Sequence, residues 1–196
     1  MTEIPPSNDS RCPWCLGFAE YVRYHDEEWG VPQRDDRRLF EKLILEGAQA
    51  GLSWATILKK REAYRRAFDG FDPERMARFT DRDMQRLLSN PGIVRNRLKI
   101  RSAIGNARAW LSLCEQEASP SRWLWRYVDG MPRINHFRRC QDVPASTAES
   151  EAMSRDLRRL GFRFAGPTIC YAFMQSIGMV NDHLVSCPRH AELSTP

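Results

Sequence analysis

Two pairs of potential metal ligands lie at opposite ends of the chain, and they constrain its fold more than any other feature. Cys12 and His25 are near the start, and His183 and Cys187 are near the end. Zinc binds four thiolate or imidazole ligands in a tetrahedron, and two cysteines with two histidines are one of its structural ligand sets. If all four residues bind one ion, the fold must close a loop of nearly the whole sequence.

Other ligand sets remain open from spacing alone. Cys12 and Cys15 form a CxxC pair, which is also a redox motif, but that function needs a βαβ context that the sequence does not indicate. Cys15 could replace Cys12 as a ligand, and His190 could compete with Cys187. The remaining thiols are predicted to be core or incidental residues: Cys114, Cys140 and Cys170.

The composition is that of a soluble globular protein with a basic surface. The 196 residues are 42% hydrophobic and 28% charged, and the net charge is +5. No apolar run approaches the roughly 20 residues of a membrane span, and the polar first ten residues do not resemble a signal peptide. We therefore expect a cytoplasmic protein with reduced cysteines and no membrane partner. The positive charge favours a polyanionic partner, although solvated helix faces would account for it equally well.

Helical periodicity extends along almost the whole chain and predicts an all-α fold. The predicted helix starts are N-caps at Asp35 or Asp36, Ser53 and Asp72, and capping boxes at Thr80–Asp83 and Ser146–Glu149. The clearest amphipathic stripe is Ile100, Ala103, Ile104, Ala107, Leu111 and Cys114. A last apolar helix is predicted to begin at Gly166-Pro167 and to end at Gly178. Residues 130–145 are predicted to be an irregular loop, and no segment is a convincing strand.

A short connection between two predicted helices could bind phosphate. Gly92 lies in a turn that precedes the helix of Ile104, and Arg95, Arg97 and Lys99 follow it directly. A glycine turn lets the backbone approach a ligand, and a helix N-terminus offers free N–H groups to an anion. A helix-hairpin-helix phosphate site would have this pattern, and so would a plain helical hairpin.

Glu46 continues an apolar stripe, seven residues after Leu39 and three after Leu43. A carboxylate is costly to bury, so a buried glutamate is paired, protonated or functional. The helix could also turn slightly and leave Glu46 in solvent. Nearby Tyr24, Trp29 and Trp54 make an aromatic pocket with one carboxylate conceivable.

With these residues assembled, the chain closely resembles the bacterial 3-methyladenine DNA glycosylase I family over residues 11–187. The matching motifs are RCPW from Arg11, YHDEEWG from Tyr24, LEGAQAGLSW from Leu45, KKREAYRRAF from Lys59, GIVRNRLKI from Gly92, and GFRFAGPTICYAFMQSIGMVNDH from Gly161. The motifs are long and occur in the family's order. The extra thiol of Cys15 and the tail containing His190 depart from the family pattern.

The resemblance implies a helix-hairpin-helix enzyme that excises 3-methyladenine from alkylated double-stranded DNA, and we expect it to be a monomer. It implies one structural zinc on Cys12, His25, His183 and Cys187. In that family, a Glu and a Tyr that match Glu46 and Tyr24 bond the base, and no catalytic aspartate is present. The implied aromatic walls of the base pocket are Trp14, Trp29 and Trp54.

The residues that we predict to contact DNA lie in two turns. Ala50-Gly51-Leu52-Ser53 precedes a helix, and Leu52 could wedge into the gap that an extruded nucleotide leaves, or could be an ordinary core residue. The second turn is that of Gly92, and Arg95 and Lys99 follow it as phosphate ligands or as solvated side chains.

We predict one glycosylase domain over residues 11–190, with terminal tails at 1–10 and 191–196. Its helical core covers about 36–178, and its zinc-clasped ends are about 11–35 and 179–190. Two other functions compete with this interpretation. A non-catalytic module that binds damaged DNA would not need Glu46 and Tyr24. A zinc hydrolase would need an open coordination position and a base such as Asp26 or Asp182, which we instead expect to support the metal site or to cap.

Overall fold

The computed structural model describes residues 9–194 and confirms the all-α class. In that part of the chain it contains ten α-helices, two very short strands and four short 3₁₀ turns. The helices are α1 (Ala19–Glu27), α2 (Asp36–Gln49), α3 (Trp54–Ala67), α4 (Pro73–Ala77), α5 (Asp81–Ser89), α6 (Arg97–Gln116), α7 (Pro120–Trp125), α8 (Ala148–Arg159), α9 (Pro167–Ser176) and α10 (Pro188–Glu192). The strands are β1 (Arg133–Ile134) and β2 (Val180–Asn181).

Side-chain caps begin the helices where the sequence predicts them, with one exception. The side chains of Asp35, Ser53 and Asp72 accept hydrogen bonds from the backbone three residues on, and Thr80 forms its capping box with Asp83. The box that was predicted at Ser146–Glu149 is wrong by one residue, because Thr147 and Ser150 form it. Thr and Ser satisfy the same backbone donors, so the sequence offered two overlapping boxes.

The longest helix, α6, packs against α2, α4 and α5. Its predicted stripe is confirmed from Ile100 to Ala107. Further along, Trp110 and Leu113 are buried, whereas Cys114 is exposed. An α-helix turns about 100° per residue, so a stripe extrapolated over four turns drifts away from the buried face.

The expectation that the chain has no strand is wrong at one place. Strands β1 and β2 pair in parallel, with Arg133 opposite Val180 and Ile134 opposite Asn181. Two residues are too few for an alternating pattern, and so the sequence gives no signal for them. The ladder attaches the loop after α7 to the segment that contains His183.

The structure bears on the predicted tails only near the C-terminus. Residues 1–8 of the predicted N-terminal tail and residues 195 and 196 lie outside the described residues. Helix α10 extends to Glu192, so the predicted C-terminal tail begins inside a helix. Among residues 9–194, no helix is long and apolar enough to cross a membrane.

The turn that ends α9 joins it to the loop after α1. Gly178 has a φ of +70°, its N–H donates to Gln175, and the N–H of Met179 donates to Met174, which is the Schellman arrangement. A Cβ on Gly178 would lie 2.4 Å from the carbonyl carbon of Val31. Glycine is therefore required both by its backbone angle and by the close approach of the loop.

Gly178→Ala should lower the free energy of unfolding by about 2–5 kcal/mol, from left-handed strain and overpacking together. Urea denaturation of the purified protein measures this loss. Gly105→Ala is the matched control, because a Cβ there meets no atom within 4 Å. Within helix α6 that control should gain about 0.5–1 kcal/mol. Equal stability of the two variants would contradict the close approach at Gly178.

Candidate functional site

The four predicted metal ligands form one buried cluster. Cys12 precedes the first short turn, His25 lies in α1, His183 follows β2, and Cys187 immediately precedes α10. Their ligand atoms all lie within 4.8 Å of one another. The fold thus brings both ends of the chain to one place, and the group could hold a metal ion.

The spacing of the donor atoms suits a tetrahedral ion. Nε2 of His25 lies 3.1 Å from Nδ1 of His183 and 3.5 Å from Sγ of Cys187. Nδ1 of His183 lies 3.8 Å from Sγ of Cys12 and 3.7 Å from Sγ of Cys187. A tetrahedral zinc ion separates such ligand atoms by about 3.3–3.8 Å.

Each imidazole is oriented through its other ring nitrogen. Nδ1 of His25 lies 2.8 Å from the carboxylate of Asp26, and Nε2 of His183 lies 3.1 Å from the carbonyl of Trp29. Because those oxygens can only accept, the outer nitrogens donate, and in neutral rings the two nitrogens that face each other present lone pairs. Two such lone pairs repel unless a proton or a metal ion lies between them, and the thiols of Cys12 and Cys187 beside them complete a donor set that fits a metal.

The two alternative ligands do not belong to the cluster. Cys15 is buried but lies outside the group of four donors. Nε2 of His190 lies 2.7 Å from the carbonyl of Asn135, and its ring is held there. Arg11 and His25 both contact Asp26, as the expected supporting role of that carboxylate requires.

A cavity of about 240 Å³ lies beside the cluster, and it contains the predicted pocket residues. Its size suits one small planar ligand. The predicted residues that line it are Trp14, Tyr24, Trp29, Glu46 and Trp54. Sequence reasoning missed several others, namely Tyr21, Gln49, Cys140, Val143, Ala172, Gln175 and Leu184.

The aromatic walls of the pocket contact the cluster of cysteines and histidines directly. The ring centroids of Trp14 and Trp29 are 4.9 Å apart, and those of Tyr24 and Trp54 are 5.3 Å apart. Trp29 also packs edge-on against His183, with 4.6 Å between the ring centroids. A change at the cluster would therefore shift one wall of the pocket.

Glu46 is buried, as its place on the apolar stripe of α2 predicts, and it lines the cavity. Only 2% of it is exposed, and its Oε2 has no hydrogen-bond partner among the described residues. Burial raises the pKa of Glu46 to about 7, while the charge of Lys42 and the hydroxyl of Ser176 oppose that rise. The Nε1 of Trp54 is also buried without a partner. The pocket therefore offers an acceptor and a donor to a ligand.

The phenol of Tyr24 stays protonated next to this carboxyl group. Burial, and then the charge of Glu46, raise the pKa of Tyr24 well above its ordinary value. A neutral phenol can donate a hydrogen bond to a ligand or to a carboxylate. Tyr24 thus offers a donor, and Glu46 an acceptor, to a ligand in the pocket.

The two turns predicted to contact DNA are linked by Lys99. Ala50 and Gly51 form a type II turn, in which Gly51 has a φ of +73° and Leu52 donates to Gln49. Leu52 is 42% exposed. The ammonium group of Lys99, on α6, donates to the carbonyls of Ala48 at 2.8 Å and Ala50 at 2.6 Å. Lys99 therefore holds the Leu52 turn against the first turn of α6.

The hairpin between α5 and α6 has its own internal supports. The N–H of Gly92 donates to the side chain of Asn90, and a Cβ on Gly92 would lie 2.8 Å from Cβ of Ala63. Ile93 is buried, whereas Arg95 is exposed. The glycine is thus needed for packing against α3, whatever ligand the turn binds.

An all-helical fold with a base-sized aromatic pocket, one buried carboxylate and basic residues on nearby turns defines a class of enzyme. Such a site suits an enzyme that extrudes a nucleotide from a nucleic acid and encloses its base. Comparison with known proteins gives the family. A family profile described as methyladenine glycosylase matches residues 14–190, and the chain belongs to that family.

The relatives match over nearly their whole length. DNA-3-methyladenine glycosylase 1 of Escherichia coli K12 is 48% identical over 178 residues, which are 90% of this chain and 95% of that protein. A crystal structure of 3-methyladenine DNA glycosylase I is 49% identical, with a TM-score of 0.89, and the match covers 91% of this chain and 98% of that one. The Staphylococcus aureus enzyme, whose structure concerns 3-methyladenine recognition, is 38% identical with a TM-score of 0.88 and coverages of 90% and 94%.

Lys99→Met should loosen the Leu52 turn, because two carbonyls at the end of α2 lose their donor. We expect faster hydrogen exchange at the Leu52 amide and a loss of about 1–2 kcal/mol in unfolding free energy. Hydrogen exchange followed by NMR measures the first, and urea denaturation measures the second. Arg101→Met, an exposed position on the same helix, should leave the Leu52 amide unchanged. Unchanged exchange in Lys99→Met would contradict the link.

Proposed function

We propose that this protein is a DNA glycosylase that hydrolyses the N-glycosidic bond of 3-methyladenine in alkylated double-stranded DNA. The family of the chain and the names of its relatives support this activity. The observation that supports it most strongly is a buried Glu46 with a free carboxyl oxygen in an aromatic cavity. We expect a cytoplasmic monomer in a helix-hairpin-helix fold.

The pocket residues suit the chemistry of an alkylated base. A methyl group on N3 makes adenine cationic, and so the base becomes a good leaving group. Electron-rich indole faces bind a desolvated cation with about 0.5–2 kcal/mol each, which favours the lesion over neutral adenine. Glu46 contacts the edge of the base, Tyr24 orients it, and water attacks the sugar after extrusion.

The two linked turns would bind the DNA. Leu52, exposed at the tip of its turn, would fill the gap left by the extruded nucleotide. The hairpin of Gly92 and the side chain of Arg95 would bind phosphates, together with the first turn of α6 that contains Lys99. Binding that neutralises several phosphates weakens steeply as salt rises.

The competing functions lack support at the site. A module that only binds DNA has no use for a buried carboxylate. For a hydrolase, Asp182 would have to act as a base, but its carboxylate already accepts hydrogen bonds from Asn135, Tyr171 and Gln175 at 2.7–2.8 Å. The carboxylate of Asp26 is bonded to Arg11 and His25.

Glu46→Gln should lower the single-turnover excision rate of 3-methyladenine by about 10- to 100-fold, equivalent to about 1.4–2.7 kcal/mol of lost stabilisation of the cationic transition state. The same variant should be more stable than the wild type above pH 7. A raised folded-state pKa means that the wild type loses stability as pH rises from about 4.5 to about 7, because its ionised form is disfavoured by burial. Base release from methylated DNA and urea denaturation at pH 6 and 8 measure the two effects.

The control for this variant is Glu115→Gln, on the exposed face of α6. It should leave both the excision rate and the pH dependence of stability at wild-type values. A wild-type excision rate in Glu46→Gln would remove the carboxylate from the mechanism. Absence of base release by the wild-type protein would refute the proposed activity itself.

The metal we propose is one structural zinc ion held by Cys12, His25, His183 and Cys187. Four protein donors complete its tetrahedron, and so no position remains for a reacting water. When bound, the ion supplies a cross-link between the two ends of the chain and a fixed position for Trp29. By analogy with zinc-finger peptides the cross-link is worth on the order of 10 kcal/mol, less any strain.

Elemental analysis should find one zinc per chain, and Cys187→Ser should lose it together with several kcal/mol of stability. The zinc-free protein should still show weak excision, because Cys187 is not among the residues that line the cavity. Cys114→Ser is the control, since this exposed thiol is remote from the cluster. A zinc-free wild-type protein with full stability would refute the site.

A further inference from the structure

Lys42 is a largely buried cation close to two aromatic walls of the base pocket. It precedes Glu46 by one turn of α2, and its side chain is 12% exposed. Its Nζ lies 4.5 Å from the ring centroid of Tyr24 and 5.7 Å from that of Trp54. A cation close to a pocket for a cationic base opposes binding through direct repulsion, and so its presence calls for an explanation.

We propose that Lys42 is a positioning residue that favours the ionised form of Glu46, and thereby sets the pH range in which the pocket accepts a cationic base. The inference rests on the proposed function and adds to it a residue that does not touch the base. Without a nearby cation, a fully buried carboxyl group keeps its proton to a higher pH. Only an ionised Glu46 attracts the positive charge of the lesion.

Several contacts keep Lys42 charged in spite of its burial. Its Nζ lies 3.2 Å from Oε2 of Glu28, and the ring faces of Tyr24 and Trp54 stabilise an ammonium group. Burial lowers the pKa of Lys42, while the charges of Glu28 and Glu46 raise it. A second cavity of about 490 Å³ is lined by Lys42 and Ser176 and gives the ammonium group access to solvent.

Among the groups around Glu46, Lys42 favours its ionised form most strongly. From α9, the Ser176 hydroxyl donates to the carbonyl of Phe173 and favours the ionised form of Glu46 less than Lys42 does. From α1, Tyr21 and Tyr24 are neutral phenols at physiological pH, because burial raises the pKa of each. From α3, the cation of Arg61 is bonded to both carboxyl oxygens of Glu28, at 2.8 Å and 2.7 Å.

Lys42 repels the cationic base at every pH at which the lysine is charged. Its ionising effect on Glu46 matters only at pH values close to the pKa of Glu46. Between the pKa of Glu46 in the wild type and its higher pKa without Lys42, removal of the lysine leaves a neutral carboxyl group and a weaker pocket. Well above that pKa, Glu46 is ionised with or without Lys42, and removal of the lysine only relieves repulsion. A variant without the lysine should therefore be slower than the wild type at neutral pH and equal or faster at alkaline pH. If Lys42 had a purely structural role, the rate curves of the variant and the wild type would not cross as pH rises.

The test is single-turnover release of 3-methyladenine from methylated DNA between pH 6 and 9.5, for the wild type, Lys42→Met and Lys42→Arg. In Lys42→Met, the rise of the excision rate with pH should move to higher pH by about one unit or more. The rate at pH 7 should then fall about tenfold, and the wild-type rate should be reached near pH 9. Lys42→Arg should keep the wild-type dependence of rate on pH, since arginine retains the positive charge. Lys59→Met is the matched control, because the Lys59 ammonium lies 4.5 Å from the Phe18 ring rather than beside Glu46.

A second measurement needs neither DNA nor activity. Titration of the Glu46 carboxyl carbon by NMR should show a higher midpoint in Lys42→Met than in the wild type. Equal midpoints, or a loss of rate by the same factor at every pH, would overturn the role of Lys42. Absence of base release by the wild type, with the midpoint shifted as expected, would refute the activity and leave the effect of Lys42 on Glu46 intact.

Discussion

The two imidazole nitrogens of His25 and His183 that face each other at 3.1 Å are the contact on which the rest of the site depends. Their outer nitrogens are committed to Asp26 and to the carbonyl of Trp29. The pair therefore fixes α1 and the loop after it against the segment that follows β2. Tyr24 and Trp29 flank this contact in sequence, and both are walls of the pocket. The contact that joins the two ends of the chain therefore also positions two walls of the pocket.

The pocket is electrostatically costly, and the surrounding fold stabilises it. Glu46 is buried with a free oxygen, and the largely buried Lys42 precedes it by one turn of α2. Burial of unpaired ionisable groups destabilises a fold by several kcal/mol unless other charges compensate. Here Glu28 and Arg61 complete an alternating set of charges behind the aromatic walls. Because these charges are fixed before a ligand arrives, little reorganisation accompanies binding of a cation.

The sequence could predict those features that depend on residues close together in the chain. Caps such as Ser53 and the stripe that contains Ile100 depend on neighbouring residues, and they are confirmed. The burial of Glu46 was visible as a carboxylate in an apolar stripe. Lys42 had no such signal, because a lysine at the edge of a stripe usually reaches solvent with its long side chain. The bonds of Lys99 to the end of α2 join residues about fifty positions apart, which no local pattern reveals.

The short ladder of β1 and β2 holds a loop that lines the pocket but carries none of its buried charges. It anchors one end of the loop that contributes Cys140 and Val143 to the cavity rim, whereas Glu46 and Tyr24 lie on helices of the core. Substitutions, insertions or deletions in that loop would reshape the opening without disturbing the buried charges. Loops of this kind tolerate such changes far better than packed helices do. The protein could therefore evolve its range of accepted lesions independently of its chemistry.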